Sequence, residues 1–217
     1  MFAQDAYALS KLAYIIGRYD DSIMLKKRGD DMKNRIQNNL WHEELGIYAN
    51  RLLNGTFYPR ISPTSFYPMQ ANVATDEQAD MMITKWLLNS TKFCIARDGD
   101  FKGNDDTCYW GLPSINAADP AFPPLGYWRG YVWGPMAQLT FWGMQNYNTE
   151  LVTLGRKSLC KQMEALFLSQ WNEHRHVCEN YNPHKTADTS KGDCSGTYFY
   201  HWGALTALIG LMEDGLY

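Results

Sequence analysis

The sequence predicts an all-α fold arranged as a toroid of helical hairpins. Three observations carry that reading. Apolar residues recur at steps of three and four in six segments. No stretch alternates polar and apolar residues as a half-buried strand would, which argues against a βαβ arrangement. The helical segments also differ in polarity: some are apolar enough for an interior and others polar enough to cover it.

Residues 2–16 place Phe2, Ala6, Leu9, Leu12, Ala13 and Ile16 on one face, and Gly17 ends the segment. Residues 22–40 repeat the spacing more loosely with Leu25, Met32, Ile36 and Leu40, which predicts an outer, half-exposed helix. Residues 75–88 open on Thr75-x-x-Gln78, a capping box, and carry Met81, Met82, Trp86 and Leu87. Residues 134–147 start with Gly134-Pro135, a proline suited to a first turn, and run through Met136, Leu139, Phe141 and Trp142. Residues 149–171 begin at Thr149 and carry Val152, Leu159, Met163, Leu166, Phe167 and Trp171. Residues 201–213 are nearly all apolar and predict a buried helix. The connections 41–74, 89–133 and 172–200 are long, and loops of that length in a compact domain usually carry function. The helical pattern is at full strength from residue 2, with no cap or leader, so the chain is expected to begin inside a domain.

Composition narrows the function classes. With 45% hydrophobic and 20% charged residues the chain is globular in character. Its net charge of −3 is spread without a basic run, which argues against nucleic acid or an anionic membrane as partner. No apolar run approaches the roughly 20 residues of a membrane span. Aromatic content is high, at 8 Trp, 14 Tyr and 9 Phe. Such rings fill cores, and they also stack on the C–H faces of sugars. The five cysteines form no CxxC pair. Cys94 and Cys108 flank one polar loop and Cys178 and Cys194 another, which allows one or two bridges in an oxidising compartment. The acceptor triplets Asn54-Gly-Thr56 and Asn89-Ser-Thr91 lean the same way.

Four blocks stand out: LWHEELGIY (40–48), RISPTSFYP (60–68), GLPSINAADPAF (111–122) with YWRGYVWGP (127–135), and CENYNP (178–183) with FYHWGALTALIGLMEDG (199–215). In this order they resemble the C-terminal part of glycoside hydrolase family 63, which includes mannosyl-oligosaccharide glucosidases, bacterial α-glucosidases and mannosylglycerate hydrolases. The likeness covers nearly the whole chain and rests on the YWRG-x-x-W and ENY blocks. Tyr131 departs from it, standing where the family usually has proline. The resemblance implies an (α/α)6 toroid that hydrolyses α-glycosidic bonds with inversion. It also implies that Glu179 is the general base, that Trp128, Arg129 and Trp133 line the sugar site, and that Trp202 lies on the helix closing it.

Inverting hydrolysis needs two carboxyl groups roughly 6.5–9.5 Å apart, one protonating the leaving oxygen and one deprotonating water. Glu179 lies in a loop rich in hydrogen-bond donors, which suits an ionised base. The Asn-Tyr-Asn-Pro turn is expected to hold it, and Arg129 to meet it or a sugar hydroxyl. The family's general acid is an aspartate in a tryptophan-rich block, and no such block is present; by the resemblance neither Asp5 nor Asp119 takes that part. Residues 1–217 are therefore expected to be one segment, the C-terminal half of a catalytic domain, with the missing N-terminal half as its partner. The isolated chain is expected to be inactive, and its open flanks to favour self-association or marginal stability.

Plainer readings stand beside these. Glu179 can be a structural carboxylate, and the tryptophans can be core. His174, His176, Cys178 and His184 match no common zinc spacing, and DGDFKGNDD (98–106) lacks the spacing of a calcium loop, so no metal and no cofactor is expected. Glu43 and Glu44 read as a surface turn. A non-catalytic carbohydrate-binding fragment or pseudoenzyme is the alternative; a helical-repeat scaffold is disfavoured, because the loops show no self-similarity.

Overall fold

The computed structural model describes residues 1–95, 110–122, 126–183 and 194–216. Among the described residues six α-helices form, in the six expected segments: α1 (Phe2–Ile15), α2 (Tyr19–Leu40), α3 (Asp76–Met82), α4 (Gly134–Met144), α5 (Glu150–His174) and α6 (His201–Glu213). Local chemistry sets their ends. Thr75 and Gln78 close a reciprocal capping box on α3, whose last turns widen to a π-helix over Ile83–Leu87. The Thr149 side chain accepts the Val152 N–H at the start of α5, and Arg175 ends that helix in the left-handed conformation.

The connections contain more structure than their sequence suggests. Pro63–Ala71 forms 3-10 turns. Among the described residues four antiparallel pairs of two-residue strands pin the loops: β1 (Trp41–His42) with β2 (Ile47–Tyr48), β3 (Asn50–Arg51) with β4 (Phe57–Tyr58), β5 (Cys94–Ile95) with β6 (Trp110–Gly111), and β7 (Asn180–Tyr181) with β8 (Cys194–Ser195). A two-residue strand is too short to show alternation, which is why the sequence carries no strand signal.

The core runs from the 3-10 segment through α3 to α4, α5 and α6. Phe66, Met69, Met82, Ile83, Phe141, Met144, Met163, Leu166 and Ile209 are all fully buried in it. Helix α4 packs on the 3-10 segment, α5 and α6. Arg156 of α5 grips Glu213 of α6 through Nε at 2.7 Å and Nη2 at 3.2 Å, a two-pronged bond between largely buried groups. Gly134 lets α4 and α6 meet closely, because a Cβ there would lie 1.9 Å from the Trp202 carbonyl oxygen.

Two expectations about faces are corrected. The buried stripe of α1 is Ala3, Ala6, Ser10 and Ala13, whereas Phe2, Leu9, Leu12 and Ile16 are exposed. Small side chains permit the close α1–α2 approach, and the bulky ones point the other way. Helix α6 buries only Gly203, Thr206 and Ile209, so it is half-covered rather than interior. Helix α2 behaves as expected of an outer helix, burying Gly29 alone. Among the described residues no helix is long and apolar enough to cross a membrane.

Candidate active site

Glu179 sits between β7 and the end of α5, and three features fix its position. Its backbone N–H donates to the Thr197 carbonyl at 2.9 Å. The neighbouring Cys178 is joined to Cys194 by a disulfide, with Cα atoms 5.2 Å apart, which ties the segment carrying Glu179 to β8. Val132 and Tyr181 then exchange backbone hydrogen bonds at 2.9 Å each way, which fastens the segment carrying the YWRG block to the segment carrying Glu179.

The Glu179 carboxylate is half-buried and held by two donors. The Tyr127 hydroxyl donates to Oε1. The Thr197 N–H donates to Oε2 at 3.2 Å. Gly196 makes room for this arrangement: its φ is +74°, and a Cβ there would lie 2.2 Å from Oε2. The Asn-Tyr-Asn-Pro turn is thus not the holder the sequence suggests. Tyr181 instead buries its ring completely and donates its hydroxyl to the Gly203 carbonyl at 3.2 Å, anchoring the segment to α6.

Tyr127 is the site residue that the sequence reading misses. It stands in a left-handed conformation, φ +45°, inside a tight turn in which Gly126 N–H donates to Arg129 O at 3.1 Å and Arg129 N–H to Gly126 O at 2.7 Å. Such a conformation is unfavourable for a bulky residue and is tolerated where the surroundings over-determine it. Its hydrogen bond to Glu179, followed by burial and the Glu179 charge, raises the phenol's pKa above its ordinary value. The sequence offers one signal: Tyr127 adjoins the WRG block.

The tryptophans form one cluster beside the carboxylate. Trp128 stacks on Trp133 with ring centroids 3.7 Å apart and planes 10° from parallel. Trp202 meets both, at 6.3 Å and 5.8 Å. Their exposures differ and divide their work. Trp133 is fully buried and donates its indole N–H to the Tyr127 carbonyl at 3.2 Å. Trp128 lies over it and remains 46% exposed, and Trp202 is half-buried. Trp133 is therefore a base plate for Trp128 and Tyr127, and Trp128 is the open platform. Arg129 is exposed, folds its guanidinium over Gly126, and makes no ion pair among the described residues; Tyr127, not Arg129, meets Glu179.

The remaining candidates fall elsewhere. Asp119 is buried in its own loop, where it accepts the Ala121 N–H at 2.8 Å and lies 3.8 Å from Arg60. Asp5 is in the first turn of α1. Glu43 accepts the Trp41 indole N–H at 2.6 Å in a turn. Cys178 is committed to its disulfide, His174 and His176 stack with centroids 5.4 Å apart, and His184, Cys108 and the 98–106 stretch lie outside the described residues.

Set against known proteins, the chain matches the family described as the mannosylglycerate hydrolase MGH1-like glycoside hydrolase domain over residues 1–202. It is 31% identical over 112 residues to mannosylglycerate hydrolase MGH1 of Selaginella moellendorffii, covering 50% of this chain and 19% of that protein. It is 28% identical over 155 residues to a probable trehalase of Eremothecium gossypii, covering 63% and 19%. Among solved structures it resembles the GH63 mannosylglycerate hydrolase of Thermus thermophilus in complex with glucose, with TM-score 0.66, 21% identity, and coverage of 95% of this chain and 45% of that one. It also resembles neutral trehalase Nth1 of Saccharomyces cerevisiae, with TM-score 0.62, 19% identity, and coverage of 88% and 30%. The chain therefore spans less than half the length of the proteins it matches, and its fold is the all-α, (α/α)6-type fold expected from the sequence.

Proposed function

Because this chain belongs to the mannosylglycerate hydrolase MGH1-like glycoside hydrolase family, we propose that it carries the water-activating side of an inverting α-glycosidase site. The substrate class is a terminal α-glucosyl or α-mannosyl linkage in an oligosaccharide or small glycoside. The names of the Selaginella relatives make mannosylglycerate the first substrate to try.

One observation carries this reading: a carboxylate gripped on both oxygens, beside an open tryptophan platform. A general base must stay ionised and hold its geometry while it takes a proton from water. Donors on both Glu179 oxygens favour the ionised form and fix the orientation, and each oxygen keeps a further lone pair for the water. Trp128 offers an apolar face to the sugar ring, Trp133 and Trp202 support that face, and Arg129 at the rim donates to sugar hydroxyls. The general acid, an aspartate that must sit roughly 6.5–9.5 Å from the base, comes from a segment outside these residues. The chain then supplies the C-terminal half of the toroid, and the open face of α1 is where the other half packs.

The test is Glu179→Gln in the full-length natural protein. We expect kcat/KM on an α-mannoside or α-glucoside to fall by about 10²–10⁴-fold, and the wild type to release the inverted β-anomer first, read by proton NMR. Unchanged turnover in the variant would remove Glu179 from the mechanism. An inactive wild type that still binds the sugar would favour a carbohydrate-binding pseudoenzyme.

A further inference from the structure

The two Asn-x-Thr triplets lie far apart in the chain and in different settings, yet they adopt the same local geometry. Asn54 is at the tip of the β3–β4 hairpin, where residues 50–56 are all exposed. Its Oδ1 accepts the Thr56 N–H at 3.0 Å and the Thr56 hydroxyl at 2.7 Å. Asn89 is in the turn that leaves the π-helical end of α3. Its Oδ1 accepts the Thr91 N–H at 2.9 Å and the Thr91 hydroxyl at 2.7 Å. Both threonines are exposed, and neither Nδ2 has a hydrogen-bond partner among the described residues.

We propose that Asn54 and Asn89 are N-glycosylation sites, modified by transfer of an oligosaccharide from a lipid pyrophosphate. The chemistry needs help at the amide, because its nitrogen lone pair is delocalised into the carbonyl. A hydroxyl and an N–H on Oδ1 draw electron density toward the oxygen and ease loss of an Nδ2 proton. In the transfer Nδ2 bonds to the anomeric carbon and the anomeric C–O bond to phosphate breaks. The pyrophosphate leaves with that electron pair, and one Nδ2 proton passes to a base of the transferase. Nothing is oxidised or reduced.

A separate observation puts the chain in a suitable compartment. The Cys178–Cys194 bond is of a kind that forms and persists in oxidising, chiefly secretory, environments, where such transferases act. The hairpin tip gains as well: Leu53, the residue before Asn54, is fully exposed, and a glycan there covers apolar surface that otherwise faces water.

The experiment starts from the full-length protein purified from its own cells. Treatment with peptide-N-glycosidase in heavy-oxygen water converts each glycosylated asparagine into a labelled aspartate, read by peptide mass spectrometry. We expect the label at both 54 and 89. Peptides recovered only in unmodified form overturn the proposal, and a label at one position overturns it for the other. In a eukaryotic secretory host, Thr56→Val and Thr91→Val should each remove one glycan-sized step on a gel, while Thr56→Ser keeps it. Loss of no step in the valine variants also overturns it. None of these outcomes depends on Glu179 or on hydrolysis.

Discussion

The wall around Glu179 and the α1–α2 hairpin both carry large apolar side chains, but the wall buries several of them while the hairpin's lie open. At the wall Trp133, Tyr181 and Cys178 are fully buried, and a disulfide and reciprocal backbone bonds lock the segments together. On the hairpin Leu12 is 57% exposed, Ile15 76% and Ile16 69%, and the helices are joined through alanines and a glycine. Apolar content therefore does not locate the core; what matters is which face has a neighbour. The wall holds a carboxylate in one geometry and must be rigid. The hairpin presents a surface of the kind that marks an interaction site.

The sharpest way to break this contrast is to cut the wall's covalent tie. The Cys178–Cys194 bond closes a loop of sequence separation 16, and constraining such a loop is worth about 3 kcal/mol. Reduction, or Cys178→Ala with Cys194→Ala, should lower unfolding free energy by that order in reversible denaturant titration. If Glu179 is the base, kcat of the full-length protein should fall more than KM rises, because Glu179 adjoins the bond. Cys160 is the free thiol among the described residues, and burial pushes its pKa up to about 12, so it does not compete for exchange. A change below about 0.5 kcal/mol would mean that packing alone holds the wall.

Two phenols carry the comparison into pH. Burial pushes Tyr181 at the wall up to about 12 from an ordinary 10.0. Tyr7 on the hairpin also rises to about 12, first through burial and then through its hydrogen bond to Asp30. A folded pKa above the unfolded one adds stability that is complete below pH 10 and lost as pH climbs to about 12. For Tyr181 the two-unit rise corresponds to at most about 2–3 kcal/mol. Tyr7 is only half-buried and its partner Asp30 faces solvent, so its share is screened to below about 1 kcal/mol. Stability measured at pH 9 and pH 12 should therefore drop less in Tyr181→Phe than in wild type, while Tyr7→Phe should track wild type. Equal flattening by both variants would erase the distinction between wall and hairpin.

The same contrast explains what was legible in the sequence. All six helices were, because caps such as Thr75-x-x-Gln78 and three-four spacing are local signals. The motifs led to the expectation that Glu179 and the tryptophans share one site, and in the structure they neighbour one another through Tyr127. The buried face of α1 was not, since periodicity shows that Leu9 and Leu12 share a side but not whether anything covers it. Tyr127 was also hidden: its role depends on a left-handed turn and on a partner 52 positions away, and neither leaves a periodic trace.

The smallest effect on folding is expected on the hairpin, where the effect on association should be plain. Leu9, Leu12, Ile16, Met24 and Leu25 line a groove of about 330 Å³ that runs beside Arg18 and Asp21. If this face seats another part of the toroid, the isolated chain has a sticky flank and should self-associate in sedimentation experiments as concentration rises. Leu12→Glu with Ile16→Glu should suppress that association. Both side chains are more than half exposed, so unfolding free energy should move by no more than about 0.5 kcal/mol for each. In the full-length protein the same pair should be costly, because the charges would then be buried without partners. A chain that stays monomeric without the substitutions, or a full-length protein indifferent to them, would show that the α1 face has no partner, and the contrast between wall and hairpin would reduce to a difference in packing.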